Sequence, residues 1–310
     1  MRKCPLIQPA SLGATLYVPA DRTDLLQIAT GGKYPHLRSV IFCLEDAVSE
    51  SSVPAALENL RLLAAQLATM AGTAQARPII LVRPRHAAML KVIASMKGAD
   101  QIAGFVLPKI TAESLDEYLD ALQSDQHCIM PTIETREAFD FEAMKALRSK
   151  LLLIKDRVAL VRIGGNDLLR TIGGRRSKNR TIYDGPMSSI IANLVTTFVP
   201  YGFLLSAPVC DNFSDLDLLQ EEVELDLDHG LFTKSAIHPN QVDLIHNLYK
   251  VSAEELISAR AILDTKAPAV FSINGAMMEP ATHTDWAKNI ITRSEIFGTL
   301  SVSAKILSSL

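Results

Sequence analysis

Short apolar runs recur eight times along the chain, each ending in polar or charged residues before a stretch of helical periodicity. They occupy residues 14–21, 39–46, 78–83, 104–109, 128–134, 158–167, 202–208 and 235–238. Apolar runs without polar alternation mark strands buried on both faces, as in a parallel sheet flanked by helices. Between the runs, apolar positions return every three or four residues. Over residues 53–70, Ala56, Leu60, Leu63, Ala64 and Leu67 share one face. Residues 141–153, 188–197 and 253–264 repeat the pattern, and Thr111 or Ser114 is placed to cap a helix with an acidic first turn. Eight strand–helix units predict an α/β fold of the (β/α)8 TIM-barrel class, whose active sites lie at the C-terminal strand ends. Glu45, Asp46, Arg83, Lys109, Glu134 and Asp167 all fall at such ends.

The 310 residues exceed the roughly 250 of one barrel, leaving a C-terminal segment to explain. Residues 170–186 and 267–310 lie outside the alternation, and a break at Lys266-Ala267-Pro268 predicts a linker. The expected division is therefore a barrel over 1–265 and a helical extension over 266–310, packed on the barrel or on a neighbouring subunit. A hydrophobic content of 48% supplies a large core, and a net charge of −3 argues against nucleic-acid binding. Cys4, Cys43, Cys128 and Cys210 show no CxxC spacing, so they are expected to be reduced and mostly buried. Prolines, Gln8 and Ser11 interrupt any signal-peptide core after Arg2 and Lys3, and no run is long enough for a membrane span. A soluble cytoplasmic protein is expected.

Glu134 and Asp167 end consecutive strands. Neighbouring strands lie about 4.8 Å apart, so the two carboxylates can share one cation. Two carboxylates with waters and substrate oxygens suit Mg2+. The competing reading is that each acid caps a helix or pairs with a surface cation; Gly164 and Gly165 favour metal because they let a ligand approach the backbone. Arg83 has the planar fork that suits a carboxylate, or it pairs structurally with Glu45 or Asp46. Lys109 either binds an anion or seals the barrel rim. Arg175, Arg176 and Lys178, in a Gly-rich basic loop, are candidates for phosphate recognition against the alternative of a solvated loop. Cys43 is expected to pack rather than react. His238 either faces a ligand or fixes the turn before Pro239.

Seven pieces together resemble the citrate lyase beta subunit and its relatives in the HpcH/HpaI aldolase family. They are Leu16-Tyr17-Val18-Pro19-Ala20, Leu44-Glu45-Asp46-Ala47-Val48, Val82-Arg83, Leu107-Pro108-Lys109, Ile133-Glu134-Thr135, Gly164-Gly165-Asn166-Asp167-Leu168, and Lys234 through Gln241. Each is weak alone; in this order, at strand ends, they are specific. The resemblance implies Mg2+ on Glu134 and Asp167, Arg83 gripping a carboxylate or keto acid, and Glu45 and Asp46 supporting that site. It implies an acyl partner carried as a thioester on coenzyme A or an acyl carrier protein. It also implies a homotrimer or homohexamer whose Glu279 reaches a neighbour's site. Three departures point to a divergent branch: Cys43 replaces the family's usual aspartate, no small residue follows Glu134-Thr135, and Glu279 stands where that family has aspartate.

The expected activity is Mg2+-dependent cleavage of a 3-hydroxy-acyl thioester to a 2-oxo acid and an acyl thioester. The alternatives are an aldolase acting on a small 2-oxo acid without a thioester, and a catalytically weak metabolite-binding barrel.

Overall fold

The structure, a computed structural model, describes residues 7–70, 72, 76–122 and 125–300. All eight expected strands form: β1 (Ala14–Pro19), β2 (Ser39–Cys43), β3 (Ile79–Arg83), β4 (Gly104–Leu107), β5 (Cys128–Ile133), β6 (Val161–Ile163), β7 (Leu205–Ser206) and β8 (Lys234–Ala236). Every pairing is parallel, in the order β7-β6-β5-β4-β3-β2-β1-β8. A bridge between Ala207 and Lys234 joins the two edges, and Ala207 N donates to Thr233 O at 2.8 Å. The fold is the α/β TIM barrel that the alternation predicts.

The outer helices follow their apolar stripes. Helix Val53–Thr69 buries Ala56, Leu60, Leu63, Ala64 and Leu67, the face read from the sequence. Each fully buried leucine there contributes about 1.5–3 kcal/mol relative to exposure. Asp140 caps helix Phe141–Leu153 by accepting from the amides of Glu142 and Ala143.

Inside the barrel, side chains of alternate residues stack in levels. Register places Tyr17, Ile41 and Leu81 at one level, and Pro19, Cys43 and Arg83 at the next. Leu12, Ile41, Leu81, Val106, Met130 and Leu160 belong to one apolar cluster. Two residues beyond Met130 and Leu160 stand Thr132 and Arg162, paired in register. The interior thus changes from apolar to polar within one step of the pleat.

Compact units span Met1–Ile245 and His246–Leu310, a division that falls before the expected linker at Lys266. In the second, helix Ala253–Leu263 packs on helix Pro280–Phe297 through Ala259, Ile262, Ala287 and Ile290. Ser252 and Glu255 form a capping box that starts the first of these helices. Between them lies a hairpin, β9 (Phe271–Ile273) and β10 (Ala276–Met278). Its turn places Asn274 at φ +51° and Gly275 at φ +78°, the left-handed pair that a two-residue hairpin turn requires. The extension is therefore helical only in part.

Cys43 and Cys210 are free and buried. Cys128 is disulfide-bonded, which corrects the expectation of four reduced thiols; spatial approach, not sequence spacing, decides pairing. Cys4 lies outside the described residues. Among the described residues no helix is long and apolar enough to cross a membrane.

A buried ion network ties β8 to its neighbours. The Lys234 ammonium, fully buried, donates to Glu222 at 2.9 Å and to Asp226 at 2.8 Å. Glu222 also accepts from Arg176 Nη2 at 2.5 Å and from Ile182 N at 3.0 Å, while Tyr183 OH donates to Asp226 at 2.6 Å. Burial works against the Lys234 charge, but Asp226 and Glu222 outweigh it and raise the ammonium's pKa. Replacing Lys234 by methionine leaves the buried Asp226 without its cation and takes one of two from Glu222, and should cost about 3–5 kcal/mol in urea denaturation. A loss below about 1 kcal/mol would show that the pair does not hold the barrel together.

Candidate active site

A cavity of about 300 Å3 opens at the C-terminal strand ends, lined by Tyr17, Cys43, Glu45, Asp46, Arg83, Glu134 and Asp167 among others. Its centre is an ion-paired arginine. Arg83, the last residue of β3, sends Nη2 to Glu134 Oε1 at 2.7 Å and to Glu45 Oε2 at 3.0 Å. Its Nε is buried with no hydrogen-bond partner among the described residues. Burial opposes the guanidinium charge, yet Tyr17, Glu134 and Glu45 outweigh it and raise the pKa, so Arg83 stays cationic.

Lys109 joins the same cluster twice. Its amide donates to Glu134 Oε1 at 2.8 Å, while its ammonium pairs with Glu45 and lies 3.3 Å from Asp46 Oδ2. Aiming main chain and side chain this way puts Lys109 at φ +52°, a left-handed conformation that costs a non-glycine residue energy and is characteristic of functional sites. The adjacent acids divide as an extended strand end demands. Glu45 is buried, and Asp46 stands at the rim with its side chain 68% exposed. Burial alone would raise the Asp46 pKa, but contact with Glu45 and the charges of Lys109 and Arg83 lower it, so it remains a carboxylate.

Glu134 and Asp167 both line the cavity. Burial pushes the Glu134 carboxyl up; Arg83 opposes this, and the like charge of Asp167 adds to it. Asp167 has an ion-pair partner in Arg170, 2.8 Å away and 74% exposed, a surface pair that contributes little and is easily displaced. Gly164 makes the arrangement possible: a Cβ there would collide with the Glu134 side chain and come within 2.5 Å of Oε2. Among the described residues no three His, Cys, Asp or Glu side chains are grouped to hold a metal. The Glu134–Asp167 pair offers instead an incomplete carboxylate set, which suits a small hard cation that keeps waters or takes ligand oxygens.

The basic loop divides. Arg175 and Lys178 are exposed, but the Arg176 guanidinium is buried against Glu222 and stands 3.6 Å from Asp211. Arg176 is therefore held in the ion network, unlike the exposed Arg175 and Lys178. Cys43 sits opposite Arg83 in register, and burial raises its thiol pKa, in keeping with packing. His238 stacks on Phe213 at 4.8 Å and contacts Asn240, fixing the turn; its neighbours Ser235 and Ile237 are the ones that line the cavity. Glu279 belongs to the second compact unit, where it precedes helix Pro280–Phe297 and accepts from Thr282 Oγ1 at 3.1 Å. Of the polar lining residues, Thr132 and Arg162 carry no sequence motif. The available signal was a lone arginine between Val161 and Ile163, inside an apolar run.

A closed parallel barrel with paired charges at its C-terminal mouth has the architecture of a TIM-barrel enzyme. The particular family follows from comparison: residues 6–299 match the model for C–C bond lyases of the TIM-barrel fold, and the chain belongs to that family. It is 24% identical over 271 residues to a citrate lyase subunit beta-like protein of Mycobacterium tuberculosis, covering 85% of this chain and 89% of that one. It is 26% identical over 149 residues to the citrate lyase subunit beta of Escherichia coli K12, covering 46% of this chain and 48% of that one. In fold it resembles the M. tuberculosis protein CitE solved with magnesium, acetoacetate and coenzyme A, with TM-score 0.66, 22% identity, and 93% and 99% of the two chains covered. It also resembles the citrate lyase beta subunit of that organism complexed with oxaloacetate and magnesium, at TM-score 0.56 and 22% identity, with 78% and 99% covered.

The contact of Gly164 with Glu134 generates a direct test. Gly164→Ala should cost about 1–3 kcal/mol in thermal unfolding, because the new methyl must displace the Glu134 side chain. An unchanged melting temperature would mean that Glu134 is free to move and that the turn does not seat it.

Proposed function

We propose that this chain is a cytoplasmic, Mg2+-dependent lyase that cleaves a 3-hydroxy-acyl thioester, of the citryl, citramalyl or malyl kind, to a 2-oxo acid and an acyl thioester. One observation carries the reading: Arg83 is held by Glu45 and Glu134 with Nε left over, in one cavity with Glu134 and Asp167. An arginine fixed in this way is a preorganised carboxylate site. The relatives of like fold that were solved with magnesium and with acetoacetate and coenzyme A, or with oxaloacetate, support the same reading.

Glu134 and Asp167 would hold the metal, which acts when bound as a Lewis acid on the substrate's hydroxyl and carboxylate oxygens. Arg83 orients the carboxylate of the reacting half. Asp46, ionised at the rim, accepts the proton of the 3-hydroxyl. As that O–H bond breaks, the oxygen forms the keto group of the 2-oxo acid, and the carbon–carbon bond breaks with its electron pair passing to the thioester as an enolate. The proton taken by Asp46 is then delivered to the enolate carbon, which gives the acyl thioester and returns Asp46 to its carboxylate. Lys109 pairs with both Glu45 and Asp46 and holds them in place. Arg175 and Lys178 offer exposed cations to the phosphates of a coenzyme A or acyl-carrier arm.

Glu134→Gln and Asp167→Asn should each lower Mg2+ affinity at least about tenfold in isothermal titration, because a hard anionic ligand is lost. Parent-like Mg2+ affinity in both variants would remove the carboxylate pair as the metal site. Arg83→Lys keeps the charge and loses the fork, so affinity for a 2-oxo acid should fall about tenfold. Turnover of citramalyl-, malyl- and citryl-coenzyme A by the parent chain tests the reaction itself; no cleavage of any would end the lyase assignment.

The family resemblance assigns Glu279 to the site of a neighbouring copy in a homotrimer or homohexamer. If that assignment holds, Glu279→Ala and Asp167→Asn chains, each inactive alone, regain partial activity when co-refolded. Mixed oligomers, verified by mass, that stay inactive would exclude it.

A further inference from the structure

We propose that Arg162, with Thr132 beside it, selects a substrate carrying a second carboxylate, which enters the barrel below the Arg83 site; this rests on the mouth's being a 2-oxo acid site. Arg162 is 1% exposed, and none of Nε, Nη1 and Nη2 has a hydrogen-bond partner among the described residues. The Oγ1 of Thr132, its register partner on β5, is likewise buried and unpartnered. Both residues line the cavity that also holds Arg83, Glu134 and Asp167. The Tyr17 ring, 5.6 Å from the Arg162 Cζ, lines it with them.

The rest of the barrel shows how this chain treats buried cations. Arg83, Arg176 and Lys234 each have at least one carboxylate within 3.0 Å. Arg162 has none among the described residues, and it feels the like charge of Arg83. A guanidinium cannot shed its proton to escape this position. Methionine or leucine would fill the space above Leu160 and Met130 without the cost of desolvating a charge. The arginine is therefore explained by an anion that arrives with the ligand. A carboxylate suits it: the fork presents two parallel donors and Thr132 adds a hydroxyl. A cavity of about 300 Å3 has room for a small dicarboxylic 2-oxo acid spanning both arginines.

The test titrates pyruvate and oxaloacetate, each with saturating Mg2+, into the full chain and into Arg162→Met, Arg162→Lys and Thr132→Val. The parent should bind oxaloacetate at least about tenfold more tightly than pyruvate. Arg162→Met should erase that margin and leave pyruvate affinity unchanged, with Arg162→Lys and Thr132→Val in between. Without ligand, Arg162→Met should melt no lower than the parent, whereas loss of a structural residue would lower the melting temperature. Equal loss of both ligands, or no preference in the parent, overturns the proposal. Melting with succinate in the absence of Mg2+ separates this from the lyase reading. Failure of every 2-oxo acid to bind, with succinate still stabilising the parent and not Arg162→Met, sinks that reading and leaves the Arg162 carboxylate site standing. Phosphate or chloride stabilising the parent as much as succinate would make it a general anion site and overturn the carboxylate assignment.

Discussion

The ion pairs of Arg83 with Glu45 and Glu134 fix this protein's mouth. They connect residues at the ends of β2, β3 and β5 that the sequence separates by dozens of positions. Each partner is buried, so none can be removed without leaving a desolvated charge behind. The backbone is bent to serve the cluster. Lys109 accepts a left-handed conformation so that its amide reaches Glu134, and position 164 has no side chain because Glu134 occupies the space.

Two buried charge clusters in the barrel invite comparison. Around Lys234, two cations meet two carboxylates, and backbone and tyrosine donors supply further hydrogen bonds to the acids. Both acids of that cluster are paired with cations, and Lys234 anchors the strand that closes the barrel. At the mouth, Arg83 Nε, Thr132 Oγ1 and all three nitrogens of Arg162 have no partner among the described residues, and Asp167 pairs with an exposed arginine. Full pairing is what structure alone selects. Unpartnered donors gathered around one cavity suit a binding site.

Much of this was legible in the sequence because it depends on local pattern. Apolar runs marked all eight strands, the 3.6-residue period gave the buried face of helix Val53–Thr69, and polar residues at run ends located Glu45, Arg83 and Glu134 at the mouth. What escaped depends on partners distant in the chain. Nothing near Arg176 announces Glu222, 46 residues on, so its inward turn was invisible and the basic loop read as uniform. Hairpin β9–β10 was missed although Asn274-Gly275 is a strong turn signal, because the flanking strands are only three residues each. Arg162 was visible as an anomaly, but only the register with Thr132 shows that it points the same way as the catalytic candidates.

The levels inside the barrel explain why the site can be under-paired without loss of the fold. The apolar cluster from Leu12 through Leu160 lies a single step of the pleat from the polar level. It supplies burial that does not depend on the mouth, so the charges above it are free to be arranged for a ligand. A ligand that pairs them binds the folded chain alone and adds its binding free energy to stability. Binding and folding would thus be linked at the C-terminal rim, while the Lys234 network holds β8 independently of the mouth.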